Sequence, residues 1–296
     1  MIIAVTGAKG SIGKELIPFL ESLGHQVLTI SSSAQSDGDK IFSYSDLADK
    51  KIPFNKVHLF IHLASINSNL KKEQIKQEVD ISKKILFSLA TLNCKNFIFF
   101  STSKVYGDNS FDLNYFNESS SLKPACNYGK AKKLCEELIH SESLRQGLNT
   151  LILRMPPVLN QSNSSNVGRL IYLSKKGIPI LSLAQGDFNK RSFISFNNIK
   201  TVISFIIQNI KILEKNEIYN LSDEDFISLN ELLRAAGSIR IYSLPLFFGK
   251  LFFNLPILKN ILVKLFGNFV LDNSKLKLDM NVKLETTIKS LPIITK

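Results

Sequence analysis

A chain of 296 residues is long enough for one large domain or two smaller ones with a full hydrophobic core. A hydrophobic share of 44% and a charged share of 21% fit an ordinary globular protein and argue against a disordered or fibrous one. The net charge of +12 invites a nucleic-acid reading. However, the 37 basic residues are mostly scattered lysines, never interleaved with stacking aromatics, so no nucleic-acid partner is expected.

Cys94, Cys126 and Cys135 are an odd, widely spaced set without a C-x-x-C. They read as reduced thiols of a cytoplasmic protein, neither disulfides nor a metal site. The four histidines show no ligand spacing, so no metal is expected. Met1 to Val5 reads as a strand from the first residue, which excludes a signal peptide. The most apolar stretch, Ile241 to Phe266, is interrupted by Pro245, Lys250, Pro256, Lys259 and Lys264 and does not make a bilayer span.

Residues 2–6 form a short apolar run with the character of a buried parallel strand. Gly7-Ala8-Lys9-Gly10-Ser11-Ile12-Gly13 follows at once. Glu15 to Leu23 then sets Leu16, Ile17, Phe19, Leu20 and Leu23 at helical spacing, and Gly24 closes the helix. His25 to Ile30 is the second strand, which completes a βαβ unit. Glycines in such a loop let the backbone turn tightly and approach a pyrophosphate resting on the helix N-terminus. Gly7, Gly10, Ser11, Ile12 and Gly13 are therefore candidate dinucleotide contacts; the alternative is a plain tight turn. A carboxylate for the adenosine ribose is expected at the end of the second strand. The chain has Ser31-Ser32-Ser33 there, with no acid before Asp37, and Lys9 lies within the loop. Ser31 and Lys9 both favour NADP over NAD.

A weak third strand around Lys40 to Ser43 is followed by Asp46-Leu47. Val57 to Ile61 is the fourth strand and runs into His62-Leu63-Ala64-Ser65, where small residues let the chain lie flat against a cofactor. His62 reads as a packed structural histidine. Glu73 to Leu92 is helical, with Ile75, Val79, Ile85, Leu86 and Leu89 on its apolar side. The fifth strand, Asn96 to Phe100, delivers Ser101-Thr102-Ser103 at its C-terminal end, the edge at which open α/β sheets bind ligands.

Residues 107–126 are polar and irregular, and Asn127 to Gln146 is a long helix. Tyr128 opens that helix, so Lys132 lies on the same face one turn later. A hydroxyl, a phenol and an ammonium converging on one point suit proton transfer to and from a sugar or alcohol oxygen. A tyrosine titrates near about 10, so working at neutral pH means lowering its pKa by about three units, which an adjacent cation in a dry pocket supplies.

Leu148 to Leu153 is the sixth strand. Beyond it come an Asn/Ser-rich loop at 161–166, a helix at Val167 to Lys176 and a strand at Ile178 to Leu181. A strand at Lys190 to Ser195, a helix at Asn198 to Asn209 and a strand at Ile218 to Leu221 follow. Ser228-Leu229-Asn230-Glu231 is a capping box. Alternating β and α elements predict a doubly wound parallel sheet with a smaller C-terminal α/β substrate-binding region. The expected division is 1–155, completed by about 190–222, against 156–190 and 223–296.

Several motifs occur in order: T-G-x-x-G-x-x-G at Thr6 to Gly13, H-L-A at His62 to Ala64, and S-[ST]-x-x-V-Y-G at Ser101 to Gly107. They continue with Y-x-x-x-K at Tyr128 to Lys132, L-R-x-P at Leu153 to Pro156 and R-S-[FLM]-[IV] at Arg191 to Ile194. Together they resemble the extended short-chain dehydrogenase/reductase family, in its nucleotide-sugar epimerase/dehydratase branch. The resemblance runs nearly end to end and implies a Rossmann fold binding NAD or NADP. It implies that Tyr128 is the acid/base, that Lys132 binds the nicotinamide ribose, and that Thr102 hydrogen-bonds the reacting sugar oxygen, with Ser103 as the alternative hydroxyl. It places Asp46, Leu47, Leu63 and Ala64 at the cofactor, and Asn166 and Arg191 at a nucleotide diphosphate. A guanidinium fork suits a diphosphate, although a surface salt bridge for Arg191 and a helix cap for Asn166 stay open.

Two departures narrow the chemistry. The family's dehydratases carry Asp-Glu where this chain has Ser103-Lys104, which argues against 4,6-dehydration. Its usual asparagine before Val79 is Glu78 here, and the following Gly-Thr pair is Ile81-Ser82. The resemblance then implies C4 redox chemistry on a nucleotide-diphosphate sugar. One form is a UDP-glucose or UDP-N-acetylglucosamine type 4-epimerase of surface-polysaccharide biosynthesis; the other is an NADPH-dependent UDP-4-keto-6-deoxy-sugar 4-reductase. A non-catalytic NADP(H) sensor is the reading outside enzymes. A homodimer is expected by analogy. The stretch 241–266, basic and free of acids, reads either as helices over the sugar pocket or as a weak membrane-surface contact.

Overall fold

The computed structural model describes residues 1–31, 41–43, 46, 56–67, 69–110, 112–159, 166–183, 189–237, 241–244, 263 and 267–289. In chain order the elements are β1 (Ile2–Thr6), α1 (Gly13–Ser22), β2 (Gln26–Ser31), β3 (Ile41–Ser43), β4 (Leu59–His62), α2 (Gln74–Thr91) and β5 (Asn96–Thr102). Next are β6 (Tyr115–Phe116), α3 (Asn127–Gln146), β7 (Asn149–Met155), β8 (Val158–Leu159), α4 (Asn166–Lys175), β9 (Ile180–Leu183), β10 (Lys190–Ser192) and β11 (Ile194–Ser195). The last are α5 (Phe196–Gln208), β12 (Ile218–Asn220), β13 (Phe226–Ser228), α6 (Leu229–Ala235), β14 (Ile241–Leu244), β15 (Val270–Leu271) and α7 (Ser274–Met280).

Among the described residues, seven strands form the central sheet in the order β12-β7-β5-β4-β1-β2-β3. The pairs β1–β2, β1–β4, β2–β3 and β4–β5 are parallel. Strand order reverses at β1, which lies between β2 and β4, so the carboxyl ends of β1 and β4 flank the switch-point crevice. Ile3, Ala4, Val5, Leu59, Phe60 and Ile61 are wholly buried, as strands covered on both faces require. The fold is the doubly wound α/β sheet that the alternation of elements predicts.

The chain divides into two compact units: residues 1–105, 122–154 and 202–219, and residues 106–121, 155–201 and 220–296. In the first, Phe60, Phe97 and Phe99 of the sheet pack with Ile85, Leu86 and Leu89 of α2 and Cys135 and Ile139 of α3. Each such side chain contributes about 1.5–3 kcal/mol on burial. In the second unit, Phe193, Ile227, Leu232 and Leu233 form the core with Leu159, Ile171 and Ala236. Its strands pair two by two: β10 with β13, β11 with β8, β14 with β9, and β15 with β6. Asp223 is buried there, accepting from Ser195 N, Asn198 Nδ2 and Thr287 Oγ1. The capping box at Ser228 and Glu231 is present at the start of α6.

Three expectations need correction. The strand expected at Ile178 to Leu181 begins at Ile180, because Gly177 is left-handed and Pro179 has no N–H for a ladder. The single strand expected at Lys190 to Ser195 breaks at Phe193, which is fully buried, and its halves pair with different partners. Ile241–Leu244, read as the start of a helical or amphipathic stretch, is a strand beside Ile180–Leu183. Residues 245–262 and 264–266, on which the membrane-surface reading rests, lie outside the described residues, as do Leu47, Asp37 and the loop at 161–165.

Candidate active site

At the switch point, β1 ends in Thr6 and the chain turns at Gly7 with φ +77°. A Cβ on Gly7 would come 2.8 Å from Ala64 N, so a side chain has no room where the two strand ends meet. Thr6 Oγ1 accepts from Leu63 N at 3.2 Å and Ala64 N at 3.1 Å, and lies 2.7 Å from His62 Nδ1. These bonds lay the segment after β4 flat against the end of β1. His62 Nε2 lies 3.3 Å from Ser82 Oγ, and burial, then the Lys132 charge, holds its pKa well below the usual value. It is a neutral, packed histidine.

Gly10 N donates to Gly7 O at 2.9 Å, which curls the loop onto α1. A Cβ on Gly13 would lie 2.3 Å from Gly7 O, so the helix starts pressed against its own loop. Among the described residues no side chain caps that start, which leaves first-turn N–H groups for an anion. A dinucleotide fits this cradle: Gly7, Gly10, Ser11, Ile12 and Gly13 would hold its pyrophosphate, with Leu63 and Ala64 beside it. Lys9 is exposed on the loop, and Ser31 ends β2 in register with Ser43 of β3. The Asp46 carboxylate is occupied locally, accepting from Ser43 N and Ser43 Oγ, both at 2.7 Å.

The chemistry-bearing side chains stand on β5, the turn after it, and α3. Thr102 is the last residue of β5, buried, and its Oγ1 accepts from Lys104 N at 3.3 Å. Ser103 is buried in a short 3-10 turn, Ser103–Val105. A Cβ on Gly129 would lie 2.5 Å from Lys104 O, so only glycine lets the first turn of α3 close on this turn. Cys126 caps α3 by accepting from Gly129 N at 3.4 Å.

Tyr128 is half-buried, with Lys104 Nζ at 5.7 Å and Lys132 Nζ at 5.8 Å from its ring centroid. Lys132 is fully buried; its ammonium lies 3.2 Å from Glu78 Oε1 and 4.7 Å from the Phe99 ring centroid. Burial alone would depress the lysine, but the Tyr128 oxygen and the Glu78 carboxylate outweigh it and lift its pKa above the usual value. Burial lifts the Tyr128 phenol as well; Lys132 opposes that rise and Glu78 adds to it. Thr102, Ser103, Tyr128, Lys132, the glycine loop and the Leu63-Ala64 segment therefore belong to one unit. Arg191, in β10, and Asn166, which opens α4, belong to the other. Arg191 is half-buried, and burial pulls its pKa down to about 10.

Residues 3–222 match the model of the NAD dependent epimerase/dehydratase family. The chain belongs to that family. A curated relative within it, a UDP-glucose 4-epimerase of Vibrio cholerae, is 24% identical over 244 residues, covering 78% of this chain and 74% of the relative. A second, a UDP-glucose 4-epimerase of Halalkalibacterium halodurans, is 26% identical over 170 residues, covering 52% of this chain and 50% of that one. Among solved structures, the UDP-glucuronic acid 4-epimerase of Bacillus cereus in complex with NAD has a TM-score of 0.75 at 18% identity, covering 99% of this chain and 97% of the other. These family likenesses fix the fold of the epimerase/dehydratase chain.

Proposed function

We propose that the protein interconverts nucleotide-diphosphate sugars by redox chemistry at C4, as a UDP-hexose 4-epimerase of the UDP-glucose or UDP-N-acetylglucosamine type. The observation that carries this reading is Tyr128 and Lys132 on one face of α3, packed on the turn that follows Thr102. The relatives named as UDP-glucose 4-epimerases support the choice of substrate class. Bound NAD(P) would supply the hydride acceptor and donor. Tyr128 takes the proton of the C4 hydroxyl as the sugar is oxidised and returns it when the sugar is reduced on the opposite face. Thr102 Oγ1, already fixed by Lys104 N, orients that hydroxyl. Lys132 holds the nicotinamide ribose and stabilises the phenolate. Arg191 and Asn166 are the candidates to bind the UDP diphosphate, and Ser103 to contact the sugar.

The cytoplasm, homodimers and a role in surface-polysaccharide biosynthesis complete this reading. Purified protein converting UDP-glucose or UDP-N-acetylglucosamine to its C4 epimer without added NADPH supports it; stoichiometric NADPH consumption on a 4-keto sugar overturns it. A second reading, an NADPH-dependent 4-ketoreductase, draws on Ser31, Lys9 and the lifted Tyr128 pKa, since a protonated phenol is the form that donates to a ketone.

A further inference from the structure

Glu78 is a buried charged group of this site to which the proposed reaction gives no task. It sits on α2, is buried, and uses both carboxylate oxygens: Oε1 faces Lys132 Nζ at 3.2 Å and Oε2 accepts from Ile66 N at 2.8 Å. It therefore ties three elements together: its own helix, the segment after β4 that lies along the cofactor crevice, and the helix that carries Tyr128. We propose that Glu78 is a positioning residue for the Tyr128–Lys132 pair, holding the ammonium in place and setting the pH at which Tyr128 exchanges its proton. This role rests on the reading of Tyr128 as the acid/base.

The geometry constrains what Glu78 does. An ammonium has three donors, and the carboxylate engages one face of it, leaving the others for a ribose hydroxyl and the phenol. A buried, unpaired ammonium is costly, and in the absence of the carboxylate the Tyr128 phenolate is the partner left to offset the Lys132 charge. The same carboxylate cancels part of the field that Lys132 projects onto Tyr128. A phenol beside a lone ammonium ionises early; a phenol beside an ion pair keeps its proton to higher pH.

The charged and titratable described residues facing the pair are Glu78 from α2, His62 from β4, Lys104 from the turn after β5, and Cys126 and Cys135 from the two sides of Tyr128 along α3. Burial raises the Cys135 pKa and keeps His62 neutral, and Glu78 is the carboxylate in this set. Removing its charge stabilises the phenolate, and the Tyr128 midpoint moves to lower pH.

The test is a pair of variants, Glu78→Gln and Glu78→Asp, followed by the pH profile of turnover and by ultraviolet titration of the phenolate band. The band is read in purified protein, with and without added NAD, as the difference from Tyr128→Phe. Glu78→Gln is expected to lower the midpoint by about one pH unit in both measurements. Glu78→Asp, which withdraws the charge by one methylene, is expected to shift it the same way by less, with KM for the sugar little changed. If Glu78→Gln does not fold, Glu78→Asp decides. Midpoints matching wild type in the folded variants overturn the role of Glu78, even where stability falls. Turnover that persists in Tyr128→Phe instead overturns the functional reading, and the role of Glu78 with it.

Discussion

Arg154 Nη2, at the end of β7, lies 2.7 Å from Glu136 Oε2 on α3, and both side chains are almost completely buried. Arg154 Nε is 3.2 Å from each carboxylate oxygen, and Ser101 Oγ donates to Oε1. Glu136 thus ties two strands to the helix that delivers Tyr128: β7 through Arg154, and β5, which delivers Thr102, through Ser101. Arg154→Met leaves the Glu136 charge buried without its partner, at an expected cost of about 3–5 kcal/mol in unfolding free energy. Arg154→Met combined with Glu136→Leu is expected to recover most of that loss. Chemical denaturation of the three proteins measures it.

Tyr128→Phe keeps the ring that faces Lys104 and Lys132 and removes only the oxygen. Turnover is expected to fall by about 10²–10⁴-fold, the range for loss of a general acid/base, with the melting temperature nearly unchanged. Steady-state kinetics beside calorimetry separate the two quantities. An equal fall in melting temperature and rate would mean that the phenol is structural.

Two glycines with similar backbone angles should behave differently. A Cβ on Gly7 (φ +77°) would meet Ala64 N at 2.8 Å, whereas one on Gly24 (φ +79°) would meet nothing within 4 Å among the described residues. Gly24→Ala is expected to cost about 1 kcal/mol of strain and leave NAD affinity alone. Gly7→Ala is expected to cost more and to weaken NAD binding, because the ends of β1 and β4 must separate. Titration calorimetry with NAD, after a check of folding, distinguishes them.

His62 stays neutral in the fold, since burial and then the Lys132 charge depress its pKa well below 6.5. The unfolded chain binds a proton at this residue near its ordinary value, so the unfolded state holds more protons as pH falls below about 6.5. The contribution is therefore fully present above that value and is lost on acidification. His62→Gln is expected to flatten the decline in stability between about pH 6.5 and 5, measured by denaturation at several pH values. An unchanged slope would assign the acid sensitivity to other groups.

The chain's periodicity makes the central sheet legible. Asn127 to Gln146 has the predicted bounds because Cys126 is extended and Gly147 is left-handed, so both ends are written locally. The second unit is less legible. Tyr115–Phe116, Val158–Leu159 and Val270–Leu271 are two-residue strands, too short for any period, and they depend on partners far along the chain. The same holds at the site. Glu78 stands out in the sequence only as a residue in an unusual place, and nothing near it along the chain points to Lys132. Ser101, Glu136 and Arg154 lie in or beside recognisable motifs, but their mutual contact is visible only once β5, α3 and β7 are side by side.

The short pairing of Val270–Leu271 with Tyr115–Phe116 has a further consequence, for synthesis. Asn220 donates to Phe116 O and Asp272 O, and Thr287 closes over Asp223. Domains form as they emerge during translation, early segments first. The second unit begins with residue 106, yet the strand that pairs with that segment arrives more than 150 residues later. Until Thr287 has cleared the ribosome, Tyr115–Phe116 waits without its strand and Asp223 without its last donor. A stalled nascent chain ending before Asn268 should therefore remain open to proteases at the 106–121 segment.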